Sequence, residues 1–167
     1  VAKGAGAKKT ALIGHHDHAL DIGAKLGADI GINSKTTDEV EAVMEWTGGE
    51  GCDIVFETVG GATNTVESAV RMLKPGGIVV VIGVFTHPVE LDFKPLDRHE
   101  NDIIFSFAYS YWNGVPEIEI VGDMLAAGKL DAEEIITHRF GLDDIGEAFA
   151  AALNKGDSGA VKVLITY

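Results

Sequence analysis

Two blocks of the chain are apolar without alternation: Ile54-Val55-Phe56, and residues 78–82, IVVVI. Strands that are apolar on both faces belong to parallel sheets covered by helices on each side. Between the blocks, Val66, Ala69, Val70 and Leu73 recur at helical spacing and give one apolar face to lay on such a sheet. Pro75-Gly76-Gly77 then ends the helix and turns the chain. Residues 52–84 therefore predict strand, crossover helix and strand, a βαβ unit of the kind that is almost always right-handed.

The pattern continues on either side. Residues 10–13 (TALI) and 30–33 read as short buried strands. The helix between them carries Leu20, Ile22, Ala24 and Leu26 and stops at Gly27. Gly14-His15-His16-Asp17 forms the turn into that helix, with Asp17 a candidate N-cap. Thr36 and Glu39 have the spacing of a capping box, and Val40, Val43, Met44 and Trp46 follow on the core side before Gly48-Gly49. Beyond the central unit come a polar break at Thr86-His87-Pro88 and strands at 89–93 and 102–107. Pro116 then opens a helix with Ile118, Val121, Met124 and Leu125 turned inward. A strand at 135–140, a helix at 143–153 and a strand at 161–166 complete the chain. The opening VAKGAGAKK reads as the tail of a helix with its glycine stop, a hint of further chain before it. Regular alternation without internal repeats predicts an α/β doubly wound fold with a mostly parallel sheet.

Composition narrows the function classes. At 167 residues and 46% apolar, the chain is long enough for a packed core and too apolar to be disordered. No run approaches the roughly 20 apolar residues of a membrane span. No leader pattern is present, so a soluble cytoplasmic protein is expected. One cysteine leaves no internal disulfide and no Cys-cluster zinc site. A formal net charge of −13 argues against nucleic-acid binding through clustered Lys and Arg.

In open α/β sheets, ligands sit at the carboxyl ends of the strands. Those ends are Gly14-His15-His16, Glu57-Thr58-Val59-Gly60, Gly83-Val84-Phe85 and Phe107-Ala108-Tyr109. Small residues there let a flat ligand approach the backbone; glycine after a strand is also ordinary turn chemistry. No nucleophile, base and orienting group form a set near Tyr109, Ser110 and Tyr111, so hydrolase chemistry is not supported.

KLGAD, WTGGEGCDIVFETVG, RMLKPGGIVVVIGV, GKLDAEEIITHRF, DDIGEAFAAAL and GAVKVLITY stand in the order found in medium-chain, zinc-type alcohol and polyol dehydrogenases, which the chain resembles over nearly its whole length. The resemblance implies a Rossmann-type region binding NAD(H) or NADP(H) at 1–110, and a C-terminal helix-strand-helix-strand segment at 111–167 packing on it. It also implies hydride transfer between nicotinamide and an alcohol or carbonyl carbon of a small molecule. The family's catalytic zinc ligands lie in an N-terminal domain that this chain does not contain, so no catalytic or metal-ligating residue is assigned and the isolated chain is expected to be inactive. A non-catalytic nucleotide-binding or structural subunit is the alternative.

Residue by residue, the resemblance puts Ile82, Gly83 and Val84, and next to them Ser106, Phe107 and Ala108, on the nicotinamide side. Thr58 and Val59 fall on the adenosine side, and Lys162 on the pyrophosphate or in solvent at a strand edge. Ala108 replaces an Arg of the polyol enzymes. The acidic residue that grips the adenosine ribose in NAD-dependent members falls at Gly14, followed by His15 and His16. This resembles NADP-dependent members; protonated histidines there could hold a 2′-phosphate, or they form a solvated loop. A homo-oligomer pairing edge strands 89–93 and 102–107 across a two-fold is expected.

One departure bears on the fold. GAGAKK at residues 4–9 is not the family's G-x-G-x-x-G, and the strand before that fingerprint is absent too. In the order 3-2-1-4-5-6 that first strand is central. Three solutions follow: the chain is part of a longer protein, another chain or terminus donates a strand, with residues 161–166 the best internal donor, or the second and fourth strands pair directly.

Overall fold

The computed structural model describes all residues, 1–167. In chain order the elements are β1 (Ala11–Gly14), α1 (Asp17–Lys25), β2 (Ile30–Asn33), α2 (Glu39–Trp46), β3 (Cys52–Glu57), α3 (Thr65–Arg71), β4 (Leu73–Val81), α4 (Phe93–His99) and β5 (Asp102–Phe105). There follow β6 (Tyr111–Trp112), β7 (Val115–Pro116), α5 (Glu117–Ala126), β8 (Ile136–Gly141), α6 (Ile145–Leu153), α7 (Lys155–Ser158) and β9 (Lys162–Thr166). Every strand pair is parallel except the β6–β7 hairpin. The architecture is mixed α/β with parallel sheets, and it divides into two compact units: Val1–Thr36 with Tyr111–Tyr167, and Thr37–Ser110.

In the second unit the sheet order is β3-β4-β5. Val66, Ala69, Val70 and Leu73, the face expected from their spacing, are buried with Val79, Val81 and Leu96 in one cluster, against which Val55 and Ile103 pack. Only this face of the sheet is covered. Ile54 and Phe56 are 49% and 53% exposed, so the expected cover on both faces is not met. The Lys74-Pro75-Gly76-Gly77 turn is a bulge within β4 rather than a helix stop: pairing jumps from Cys52↔Leu73 to Ile54↔Ile78. The Asn101 amide holds this bulge by donating to the Lys74 carbonyl at 2.7 Å and the Gly77 carbonyl at 3.2 Å.

The second unit also corrects three boundaries. Asp38, not Thr36, caps α2, its Oδ1 accepting from the Glu41 N–H at 2.9 Å. Residues 89–93 form no strand; Asp92 caps α4, accepting from the Lys94 N–H at 3.0 Å, and Phe93 is its first residue. The cap wins because it gives orphan helix donors an acceptor, which alternation alone does not. β5 ends at Phe105, so Ser106 to Ala108 leave the sheet as an exposed loop.

In the first unit β1 and β2 pair in register from Ala11↔Ile30 to Gly14↔Asn33, and Leu20 of α1 is buried. His16, not Asp17, occupies the N-cap position of α1; Asp17 is its first residue and accepts from the Asn33 amide at 2.6 Å. Residues 1–7 close as a helix end, as read from sequence: the Ala7 N–H donates to the Ala2 carbonyl and the Gly6 N–H to the Lys3 carbonyl, each at 3.0 Å. Pro116 precedes α5 instead of opening it, and α5 buries no residue; Ile118 is 75% exposed, against expectation. The short β7 is its main neighbour and is too small to cover that face.

The β1–β2 pair and the β3–β4–β5 sheet are separate, so direct pairing of β1 with β3 is not the solution to the absent strand. Nor is β9 a donor, because it pairs in parallel with β8. One edge of β1 and one of β3 therefore lack a strand partner.

Candidate functional site

The loop that leaves β3 for α3 folds back onto the segment that follows β4. Glu57, the last residue of β3, is 4% exposed and is the one buried charged side chain. Its Oε1 accepts from the Val59 N–H at 2.8 Å, the Gly60 N–H at 3.0 Å and the Thr65 hydroxyl at 2.8 Å. Its carbonyl accepts from the Ile82 N–H at 2.8 Å and the Gly83 N–H at 3.1 Å. The loop then bridges to the other strand end: Gly61 donates to the Val84 carbonyl at 2.8 Å and accepts from the Thr86 N–H at 3.0 Å. Two glycines permit this approach. A Cβ at Gly60 would sit 2.5 Å from the Val84 nitrogen, and one at Gly83 would collide with Glu57 Oε2 and the Gly60 nitrogen.

This accounting defines what residues 82–84 have left. Two of their three N–H groups and the Val84 carbonyl are spent inside the chain, leaving the Val84 N–H and the carbonyls of Ile82 and Gly83. One donor and two acceptors complement a primary carboxamide, so the segment fits the amide of a nicotinamide. Thr58 and Val59 are exposed at the end of β3. Ser106 spends its N–H on the Val81 carbonyl at 2.9 Å, and its side chain, Phe107 and Ala108 are exposed. Thr58, Val59, residues 82–84 and residues 106–108 thus share one unit.

Gly14, His15, His16 and Lys162 belong to the other unit. The Gly14 carbonyl accepts from the Ser34 N–H at 3.0 Å. His15 is exposed; the rings of His16 and His18 stack with centroids 5.3 Å apart. Desolvation, then the positive fields of Lys35, His18, His15 and Lys155, hold His16 below the usual histidine range. Gly156, at the start of α7, lies against the His16 ring. Lys162 is exposed at the first position of β9. Sequence reading missed Lys35 and Lys155, and placed Glu57 at a strand end without its burial or its hold on the loop. The lysines follow a strand end and open a short helix, where basic residues are ordinary; an acidic residue between an apolar run and Thr-Val-Gly-Gly was the available signal for Glu57.

No three His, Cys, Asp or Glu side chains converge in a way that would hold a metal ion, so the residues of this chain do not fit a zinc site. Cys52 is half-buried and its thiol is pushed up by desolvation, then by Asp53, which makes it a poor nucleophile.

A profile of the zinc-binding dehydrogenase family matches residues 1–127. An alcohol dehydrogenase of Cupriavidus necator is 31% identical over 160 residues, 96% of this chain and 43% of that protein. Among solved structures, alcohol dehydrogenase TADH from Thermus sp. ATN1 matches with TM-score 0.81 at 30% identity, over 99% of this chain and 46% of that one. A protein of Sinorhizobium meliloti 1021 described as a zinc-binding dehydrogenase, solved bound to NADP, matches with TM-score 0.83 at 27% identity, over 99% of this chain and 47% of that one. The chain spans less than half the length of the relatives it matches.

Proposed function

We propose that this chain, which belongs to the zinc-binding dehydrogenase family, is the cofactor-binding portion of an NAD(P)-dependent alcohol or polyol oxidoreductase. The observation that carries the proposal is the unspent set of backbone groups at residues 82–84, on the C-terminal end of a parallel strand. Ile82, Gly83 and Val84, with Ser106, Phe107 and Ala108, take the nicotinamide end; Thr58 and Val59 run along the adenosine half. When bound, the nicotinamide supplies hydride transfer to or from an alcohol or carbonyl carbon of a small molecule. The residues of this chain bind and orient the cofactor.

In the other unit, Gly14 removes the acid that would grip a ribose diol and repel a phosphate; His15 and His16 offer ring N–H donors to a 2′-phosphate, and Lys35 and Lys155, whose fields reach His16, are the cations beside them. Their charge favours NADP over NAD. Lys162 contacts the pyrophosphate. Residues 1–110 serve as the cofactor-binding region and 111–167 as the C-terminal segment. The exposed apolar edge strand β5, with Phe105 78% exposed, favours a homo-oligomer in a cytoplasmic setting. No helix is long and apolar enough to cross a membrane.

Titrating the purified chain into NADPH and NADH, followed by nicotinamide fluorescence, tests the reading. Saturable enhancement in the micromolar range, tighter for NADPH, is expected, together with no alcohol oxidation by the chain alone. Absence of binding by either cofactor supports a structural subunit instead, and turnover by the chain alone overturns its assignment as a cofactor-binding portion only.

A further inference from the structure

We propose that Glu57 is a positioning residue for the nicotinamide end: its carboxylate holds the 59–61 loop, and through that loop it sets the backbone of residues 82–86. The inference rests on reading residues 82–84 as the nicotinamide contact. Glu57 accepts five hydrogen bonds from three segments, three on Oε1 and two on its carbonyl. None of the ion pairs of the chain includes it. A buried carboxylate without a cation is costly, and hydrogen bonds from several donors are what keep one in place.

The geometry favours a carboxylate over its neutral relatives. Oε1 alone takes three donors, which an ionised oxygen does better than an amide oxygen. Oε2 has no hydrogen-bond partner and lies over the Cα of Gly83, close enough that any side chain at that position would strike it. An amide NH₂ in its place would be a buried donor with no acceptor. The side chain thus does two things. It ties the loop through Val59, Gly60 and Thr65, and it packs a bare oxygen against the strand end whose carbonyls are left for a ligand. Thr63 reinforces the loop by donating to the Gly60 carbonyl at 2.8 Å. The clamp closes with Gly61 paired to Val84 and Thr86.

The test uses the full chain carrying Glu57→Gln, Glu57→Ala or Thr65→Val, the last removing a single donor to Oε1. Affinity is measured for NADPH by fluorescence and for 2′-phospho-ADP-ribose, which lacks nicotinamide, by calorimetry. Amide hydrogen exchange is read in parallel. NADPH affinity is expected to fall about tenfold or more in Glu57→Gln, as for a buried donor left without an acceptor, and less in Thr65→Val. Affinity for 2′-phospho-ADP-ribose should change less than about twofold, since its contacts lie elsewhere. Exchange should quicken at 59–61 and 82–86 and stay unchanged on β1 and β2. Equal losses for both ligands, or faster exchange throughout, would assign Glu57 a general stabilising role and overturn the proposal. Unchanged exchange at 82–86 overturns it as well. If wild type binds 2′-phospho-ADP-ribose but gains nothing from nicotinamide, the reading of residues 82–84 fails, while the exchange pattern still decides whether Glu57 sets that backbone. If Glu57→Ala does not fold, Glu57→Gln and Thr65→Val carry the test.

Discussion

Gly60 and Gly61 are adjacent, both have left-handed backbones, and they differ in what surrounds them. φ is +61° at Gly60 and +67° at Gly61. A methyl at Gly61 meets nothing within 4 Å, whereas one at Gly60 lies 2.5 Å from the Val84 nitrogen, 2.6 Å from its oxygen and 2.8 Å from the Gly83 carbonyl carbon. These are backbone atoms, which no side-chain rotation can clear. Gly61→Ala therefore carries only the left-handed strain of an L residue, about 1–2 kcal/mol, offset by about 0.4–1 kcal/mol of lost freedom in the unfolded chain. Gly60→Ala carries the same strain plus overpacking of about 1–3 kcal/mol. The difference between the two variants isolates the clash, at about 1–3 kcal/mol against a total stability of about 5–15 kcal/mol. Urea unfolding followed by circular dichroism measures it, with unchanged slopes confirming comparable end states. If Gly60→Ala unfolds within about 0.5 kcal/mol of Gly61→Ala, the loop does not press on residues 83–84 and the argument for a clamped strand end collapses.

Two further outcomes follow from burial and charge. Val79 is 0% exposed at the centre of the covered face of the sheet, and Val79→Ala should lower stability by about 1.5–3 kcal/mol, seen as a lower urea midpoint at constant slope. His16 titrates below its unfolded value of 6.5, so the unfolded chain binds more protons in that window. Stability is then fully present above pH 6.5 and is lost as pH falls through the lowered value. His16→Gln should flatten that part of the urea-midpoint profile, and an unchanged profile would refute the assignment. A separate loss is expected below pH 3.8 as Asp29, held down by the Lys3 ammonium at 2.6 Å and by the Thr10 N–H, gains a proton.

The central crossover was legible because its signal is local and repeated. Four residues at helical spacing on α3 and just beyond it are all buried, and two unalternated runs are both strands. The sequence signal weakens where a distant partner decides. Lys74-Pro75-Gly76-Gly77 has the composition of a turn, yet it is part of a strand because Asn101, 27 residues on from Lys74, ties the bulge in place. Residues 89–93 alternate as a strand does, but Asp92 and the proline at position 95 are helix-start chemistry, and the cap prevails. The Asn113-Gly114 pair was readable and was passed over: both residues have positive φ and make the tight β6–β7 hairpin.

The candidate site divides along the same line. Gly83 and the exposed strand ends follow from the α/β topology, since small residues at strand C-termini are where backbone can reach a ligand. Glu57 does not follow from it. A glutamate directly after an apolar run carries no sign of burial in the sequence, because burying a carboxylate is unfavourable unless enough donors converge on it. Here they come from Val59 and Gly60, two and three residues on, and from Thr65, eight residues on, once the chain reverses at two glycines. The glycines are visible in the sequence; what they make room for is the opposing strand end at residues 83–84, and that contact exists only after β3 and β4 have paired. The carboxylate is therefore stable only in the folded loop, and the folded loop is what leaves the Ile82 and Gly83 carbonyls pointing to no partner within the chain. Loss of Glu57 should accordingly register first at the strand end that offers those carbonyls, before it registers in the core beneath.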